Sequence, residues 1–246
     1  MVNIKLGDKV YEGVDYVKLD TAEGGEAVFA PYEEALAAGR KAEYDKFWDN
    51  YQLNGTLTAY RYAFHGPGWN DTIFVPKYDI VFGTYSSGVF WSTGIRDLVA
   101  ALDRSNVKLD TSKATYMDTC FAGGSLTRVP EISLVSATDY ANLFANASSL
   151  VEIQKLTLKG DGSQALGNIM IGCTSLKHIT IEGVISGNSN LSACPLTTDS
   201  VQSVLDHLKD LSGAATNTIT FKASVGAALT EAQKAALTAK NWTLVY

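Results

Sequence analysis

The chain lacks the residues and patterns that announce catalysis, export or membrane insertion. It holds three cysteines, Cys120, Cys173 and Cys194, with no Cys-x-x-Cys pair. An odd, widely spaced set of this kind reads as small buried apolar residues rather than a disulfide framework or a metal cage. The three histidines, His65, His178 and His207, are scattered and form no His-x-x-x-His or His-Glu-x-x-His spacing, which argues against a zinc hydrolase. A Gly-x-Ser-x-Gly nucleophile elbow is also missing. No apolar run reaches the roughly 18 residues of a membrane-spanning helix. The start, Met1-Val2-Asn3-Ile4-Lys5-Leu6-Gly7, has no basic segment leading into an apolar one, and the end, Trp242-Thr243-Leu244-Val245-Tyr246, carries no anchor, so secretory export is not expected. Basic excess is absent too: the net charge is −6, which disfavours a nucleic-acid partner. What remains is ordinary for a soluble globular chain, 246 residues with 46% hydrophobic and 19% charged. At that length a chain buries roughly 70–75% of its unfolded surface, so its core needs no covalent staples.

What the chain does have is repetition. Cys120-Phe121-Ala122-Gly123-Gly124-Ser125-Leu126-Thr127-Arg128-Val129 is echoed by Phe144-Ala145-Asn146-Ala147-Ser148-Ser149-Leu150-Val151-Glu152-Ile153 and by Met170-Ile171-Gly172-Cys173-Thr174-Ser175-Leu176-Lys177-His178-Ile179. The Ser-Leu leucines advance from 126 to 150 to 176, steps of 24 and 26 residues. A period in this range predicts a solenoid, a scaffold that presents surface rather than enclosing a pocket. Apolar-polar-apolar triplets recur with it and predict short strands: Val107-Lys108-Leu109, Ile132-Ser133-Leu134, Leu156-Thr157-Leu158, Ile179-Thr180-Ile181, Ile219-Thr220-Phe221 and Thr243-Leu244-Val245. The expected fold is therefore an α/β-type solenoid, with one short parallel strand per turn on a common sheet and helices inserted between turns. Leu126, Leu150 and Leu176 should form one ladder, and Val129, Ile153 and Ile179 another. Phe121, Phe144 and either Met170 or Ile171 should fill the space under the bend. The longer step between Ile179 and Ile219 is read as an inserted helix, capped by Thr197 or Thr198, facing inward through Leu205, Leu208 and Leu211, and closed by Gly213. Thr230 and Gln233 fit a capping box for a last helix.

The organisation that follows has residues 1–30 as a small N-terminal β-element, 31–91 as a helix and aromatic-rich cap, and 92–246 as the repeat domain. In the first, Gly7-Asp8 and Gly24-Gly25 read as two-residue hairpin turns. In the second, Tyr44, Phe47, Trp48 and Tyr51 form an aromatic stripe at helical spacing over residues 32–52, and Ile80-Val81-Phe82 reads as a strand. Gly66-Pro67-Gly68 marks a turn. The stripe and the rings beyond it read as packing, with a carbohydrate platform as the alternative; solvent exposure of Trp69 and Trp91 would favour the latter.

The repeat pattern F/M-x-x-[AGC]-x-S-L-x-x-I resembles the leucine-rich repeats of the BspA or Treponema type, with Gly172-Cys173-Thr174-Ser175-Leu176-Lys177-His178-Ile179 the nearest match and Gly123-Gly124 a departure. Residues 40–246 are more broadly similar to repeat proteins of phages and prophages of Gram-positive gut bacteria. That similarity is carried by Glu43-Tyr44-Asp45-Lys46-Phe47-Trp48-Asp49, by Gly68-Trp69-Asn70-Asp71-Thr72-Ile73-Phe74-Val75-Pro76-Lys77-Tyr78, by Pro195-Leu196-Thr197, and by Leu229-Thr230-Glu231-Ala232-Gln233-Lys234 ahead of Asn241-Trp242-Thr243-Leu244. The resemblance implies a non-enzymatic virion structural protein of tail, baseplate or head fibre, assembled in the host cytoplasm and then extracellular. It implies contacts with other virion proteins through the N-terminal element, homo-oligomerisation, and adhesion of the repeat domain to a host-surface glycan or protein. A BspA-like bacterial cell-surface adhesin is the alternative. No catalytic, cofactor-binding or metal-binding residue is singled out, and no nucleic-acid or membrane partner is expected. Gly160-Asp161-Gly162-Ser163 reads as a plain turn, lacking the Lys of a phosphate loop and the acids of a calcium loop. Glu33-Glu34 reads as a pair at a helix N-terminus, and nothing marks two carboxylates facing one cleft as a glycosidase needs.

Overall fold

The computed structural model describes the strand backbones of residues 2–6, 9–14, 17–20 and 26–29, and residues 63–71 and 74–246 in full. Strands β1 (Val2–Leu6) and β2 (Lys9–Val14) pair antiparallel with Leu6 opposite Lys9, the register a two-residue connection at Gly7-Asp8 requires. Strands β3 (Val17–Asp20) and β4 (Glu26–Phe29) also pair antiparallel, but Asp20 faces Glu26. The second connection is therefore longer than the predicted Gly24-Gly25 turn. The predicted helix over 32–52 with its aromatic stripe, and Glu33-Glu34, lie outside the described residues.

Residues 63–246 form a small α/β domain of parallel β-sheets and interspersed short helices. Strand β5 (Ile80–Val81) pairs with β6 (Leu109–Asp110). Strands β7 (Arg128–Ser133), β8 (Glu152–Thr157) and β9 (His178–Glu182) form a second sheet, and β10 (Ser189–Leu191), β11 (Asn217–Phe221) and β12 (Trp242–Val245) a third, each with its strands in that order. The helices in this region are α1 (Leu98–Ser105), α2 (Thr198–Asp206), α3 (Ala223–Ala227) and α4 (Glu231–Ala239). The six predicted triplets all fall in or beside strands, although β6 starts only at Leu109. The single common sheet is corrected to three.

The reason lies at Thr197. Helix α2, not a fourth strand, lies along the free edge of β9, and its Ser200 and Ser203 face that edge. Their hydroxyls accept hydrogen bonds from the backbone N–H groups of Ile179 and Ile181 at 2.9 and 2.8 Å. A helix thereby satisfies edge donors that a strand would otherwise have to meet. Helix α4 lies beside α2, with Gln233 Nε2 donating to Gln202 Oε1 at 3.0 Å and Lys240 Nζ to the Leu205 carbonyl at 3.0 Å. Strand pairing continues at β10, β11 and β12. β10 escapes the triplet rule because Ser189-Asn190-Leu191 has no β-branched residue.

The predicted ladders are present. Val129 faces Ile153, which faces Ile179, and all three are buried, as are Leu126, Leu150 and Leu176. Phe121 and Phe144 stack with ring centroids 5.5 Å apart, and Met170, not the exposed Ile171, takes the next place. The ring column also reaches back into the aromatic-rich segment: Phe90 stacks on Phe121 at 5.5 Å and Phe64 on Phe90 at 5.1 Å. Stacked aromatic pairs contribute about 0.5–1.5 kcal/mol each beyond the area they bury.

Phe90, Phe121 and Phe144 each sit midway through a five-residue bend with left-handed corners. Gly66, Ser92, Gly123, Asn146 and Gly172 all have positive φ, and the N–H of each of the first four reaches the carbonyl preceding the next. Gly88, Thr119 and Asn142 repeat this two residues before the ring. The small and polar residues of the motif are thus corner residues, chosen because Gly and Asn tolerate left-handed backbone. Gly123-Gly124, which departs from the motif, has a structural cause. Leu126 follows Phe121 by one residue fewer than Leu150 follows Phe144 or Leu176 follows Met170. The shorter bend puts Gly124 at φ +72° as well, where a Cβ would stand 2.5 Å from the Thr93 carbonyl oxygen.

At the helix ends, the Thr230–Gln233 capping box forms. Thr197 is the N-cap of α2, but its hydroxyl bonds to Ser200 Oγ at 3.2 Å instead of a backbone N–H. Leu205, Leu208 and Leu211 are buried, the latter two beyond the end of α2, and Gly213 has positive φ in the turn that follows.

Candidate binding surface

The turns present two different exposed surfaces. Across β7, β8 and β9 the outward side chains form two charge triads. Arg128 lies 2.8 Å from Glu152 and 3.2 Å from Asp97, while Lys155 lies 2.9 Å from Glu131 and 3.2 Å from Glu182. Hydrogen bonding to these partners raises the Arg128 and Lys155 pKa values and lowers that of Glu182. Exposed pairs of this kind are screened by solvent and add little to stability. Each triad sets one base against two acids, so both bases are engaged and this face offers no free cation from either triad.

The second surface precedes the ring bend. Tyr85 and Tyr116 are joined by a parallel bridge, as are Tyr116 and Asp139. The same backbone position thus carries Tyr, Tyr and Asp on successive turns, three residues before the corners Gly88, Thr119 and Asn142. The two tyrosine rings stack with centroids 4.8 Å apart and planes 8° from parallel, yet they remain 41% and 37% exposed. Asp118 follows Tyr116 by two residues in the chain. Burial, and then the neighbouring Asp139 carboxylate, push its pKa up, against hydrogen bonds from Thr119 and Asn142. Past Asp139 the surface falls into a groove of about 440 Å³, lined by residues 138–142 and 165–169. A smaller cleft of about 260 Å³ near α2 is lined by apolar and uncharged residues, among them Leu196, Val201, Val225 and Leu229.

The residues singled out from sequence are dispersed. Trp69 is buried, while Trp91 is 41% exposed with its ring centroid 4.9 Å from that of His65. His178 is exposed on β9, and His207 is half-buried with Nδ1 2.7 Å from the Ser203 carbonyl. Ser163 N–H donates to Asp161 Oδ1 at 2.9 Å, which makes Gly160–Ser163 a side-chain-closed turn. The same Asp-x-Ser closure recurs at Asp110–Ser112 and Asp210–Ser212, and it lowers the pKa of all three aspartates.

The three cysteines are buried and unpaired by disulfide. Cys120 Sγ donates to the Ser86 carbonyl and Cys173 Sγ to the Phe144 carbonyl, both at 3.1 Å on the preceding turn. Burial pushes the Cys120 thiol up, and the Cys173 and Cys194 thiols up to about 12. Among the described residues no group of His, Cys, Asp and Glu is placed to hold a metal ion, and no helix is long and apolar enough to cross a membrane.

The tyrosine–aspartate surface was not singled out from sequence. Its only signal is positional: Tyr85, Tyr116 and Asp139 share an offset from their left-handed corners, which becomes visible once the corners are aligned. Against known proteins the chain matches no family model, no curated sequence and no solved structure.

Proposed function

We propose that residues 92–246 are a leucine-rich-repeat-like solenoid and that the chain is a non-enzymatic adhesive scaffold. Its setting is the particle of a phage, as a tail, baseplate or head-fibre component, in line with its resemblance to phage-encoded repeat proteins. The observation that carries the scaffold reading is the parallel registration of successive turns. Ladders of Leu, of Val and Ile, and of stacked rings bury the inside. That leaves a long outer surface on which repeated positions, such as Tyr85, Tyr116 and Asp139, line up. An extended surface of this kind suits recognition of a host-surface glycan or protein. Display of many copies on a symmetric particle, through the element at residues 1–30, adds avidity of about 10²–10⁴.

The test is immunogold electron microscopy with an antibody to residues 92–246, applied to induced lysates and intact cells together. Label on particle tails or heads is the expected result. Label on the bacterial envelope with bare particles would overturn the virion setting in favour of a BspA-like surface adhesin.

A further inference from the structure

The tyrosine pair and the groove meet at Asp139, which is bridged to Tyr116 and lines the groove. Tyr85 covers one face of the Tyr116 ring. The other face looks along the stack to the next turn, where the aligned residue is Asp139 rather than a third ring. The Tyr116 ring therefore stands one turn before an open groove of mixed lining, in which Thr138, Asp139, Asn142 and Asn168 lie among apolar residues. The groove holds the Asp139 carboxylate and the Asn142 amide, with Asp118 on the turn before, hydrogen-bonded to Asn142.

This combination has a specific chemistry. The negative face of an aromatic ring attracts the slightly positive axial C–H groups of a pyranose. A carboxylate accepts strong charge-assisted hydrogen bonds from vicinal hydroxyls, and an amide both donates and accepts. Burial and the nearby Asp139 carboxylate already make Asp118 costly to ionise, so a further anion beside these two acids is repelled. A phosphate-rich or uronic polymer is therefore disfavoured. A groove of about 440 Å³ falls within the usual range for a small-ligand site.

We propose that the Tyr116 face and the groove at residues 138–142 and 165–169 bind a neutral saccharide. One pyranose ring lies on Tyr116, and its hydroxyls bond to Asp139 and Asn142. Tyr85 acts as a positioning residue that holds the Tyr116 ring by stacking. The inference rests on the adhesive-scaffold reading and names the ligand class for it.

The test is calorimetric titration of the full chain with chitotriose and cellotriose as neutral probes and trigalacturonate as the anionic one. Amide shifts of the isotope-labelled protein locate the site. At least one neutral probe is expected to bind with a dissociation constant of roughly millimolar or tighter, with shifts centred on residues 138–142 and 165–169. Tyr116→Ala is expected to weaken it about tenfold or more, an energetic loss of about 1.4 kcal/mol, while Tyr116→Phe keeps it and Asp139→Asn weakens it. If Tyr116→Ala does not fold, the shift map of the unaltered protein decides, and shifts centred elsewhere overturn the proposal. So does no binding of either neutral probe, preference for trigalacturonate, or unchanged binding in a folded Tyr116→Ala protein. The particle-labelling result is independent. A labelled particle without saccharide binding removes only this inference, and saccharide binding without particle label removes only the virion setting.

Discussion

At the residue scale, the bends are held by backbone conformations that few side chains accept. Gly124 combines positive φ with a close approach to the Thr93 carbonyl, while Gly213 has positive φ with open space where a Cβ would go. Gly213→Ala is therefore expected to cost about 1–2 kcal/mol, the strain of a left-handed residue. Gly124→Ala should cost clearly more, since backbone must also move. Urea denaturation of the two variants checks this, and equal losses would contradict the tight-bend account. Asp118 gives a prediction of opposite sign. Its folded pKa is raised by burial and by Asp139. The fold therefore favours the protonated acid, and ionisation at neutral pH is a cost. Asp118→Asn is expected to raise the melting temperature at pH 7 by a few degrees at most, a gain that fades as pH falls through the carboxylate range. A lower melting temperature at pH 7 would contradict this. The Asp-x-Ser aspartates, with lowered pKa values, act in the other direction. Their contribution is present above the ordinary carboxylate pKa and is lost as pH falls through the folded value.

At the scale of elements, the ring column ties the aromatic-rich segment to the repeats. Phe121 stacks on Phe90 and on Phe144 and is fully buried. Phe121→Ala is expected to cost about 3–5 kcal/mol by equilibrium unfolding, and Leu150→Ala about 2–5 kcal/mol. A loss under about 0.5 kcal/mol for either would sink the ladder account. These ladders were legible in the sequence because the Ser-Leu-x-x-Ile/Val spacing recurs with nearly fixed period. The capping box was legible because Thr230 and Gln233 satisfy each other's backbone donors locally. The switch from strand to helix beside β9 was legible only as an insertion. Nothing local says that Ser200 and Ser203 will serve as acceptors for a sheet edge 21 and 22 residues back in the chain. The binding surface was hidden for the same reason: Tyr85, Tyr116 and Asp139 become neighbours only after the turns are stacked. Trp69 and Trp91 look alike in sequence, yet Trp69 closes the ring cluster and Trp91 is partly exposed.

At the scale of the whole molecule, the fold rests on turns laid in parallel, with a register shift between Ile153 and Leu156 where β8 meets β9. Helix α2 stands beside β9 where a fourth strand would pair, and strand pairing resumes at β10, β11 and β12. A charge triad crosses β7, β8 and β9 at Glu131, Lys155 and Glu182, while the native thiols are buried and held protonated. New surface cysteines can therefore report alignment without interference. The most direct measurement is mild oxidation of the Glu131→Cys/Lys155→Cys protein, beside a Glu131→Cys/Gln154→Cys control shifted by one residue. Glu131 pairs with Lys155 in the parallel register, and neighbouring strands bring Cα atoms within the roughly 4.4–6.8 Å that a disulfide needs. The account predicts rapid, near-complete crosslinking of the first pair with the native thiols still unmodified, and little crosslinking of the control. Preferential crosslinking of the control, or none in either protein, would contradict the stacked register on which the fold, the surface and the proposed function all rest.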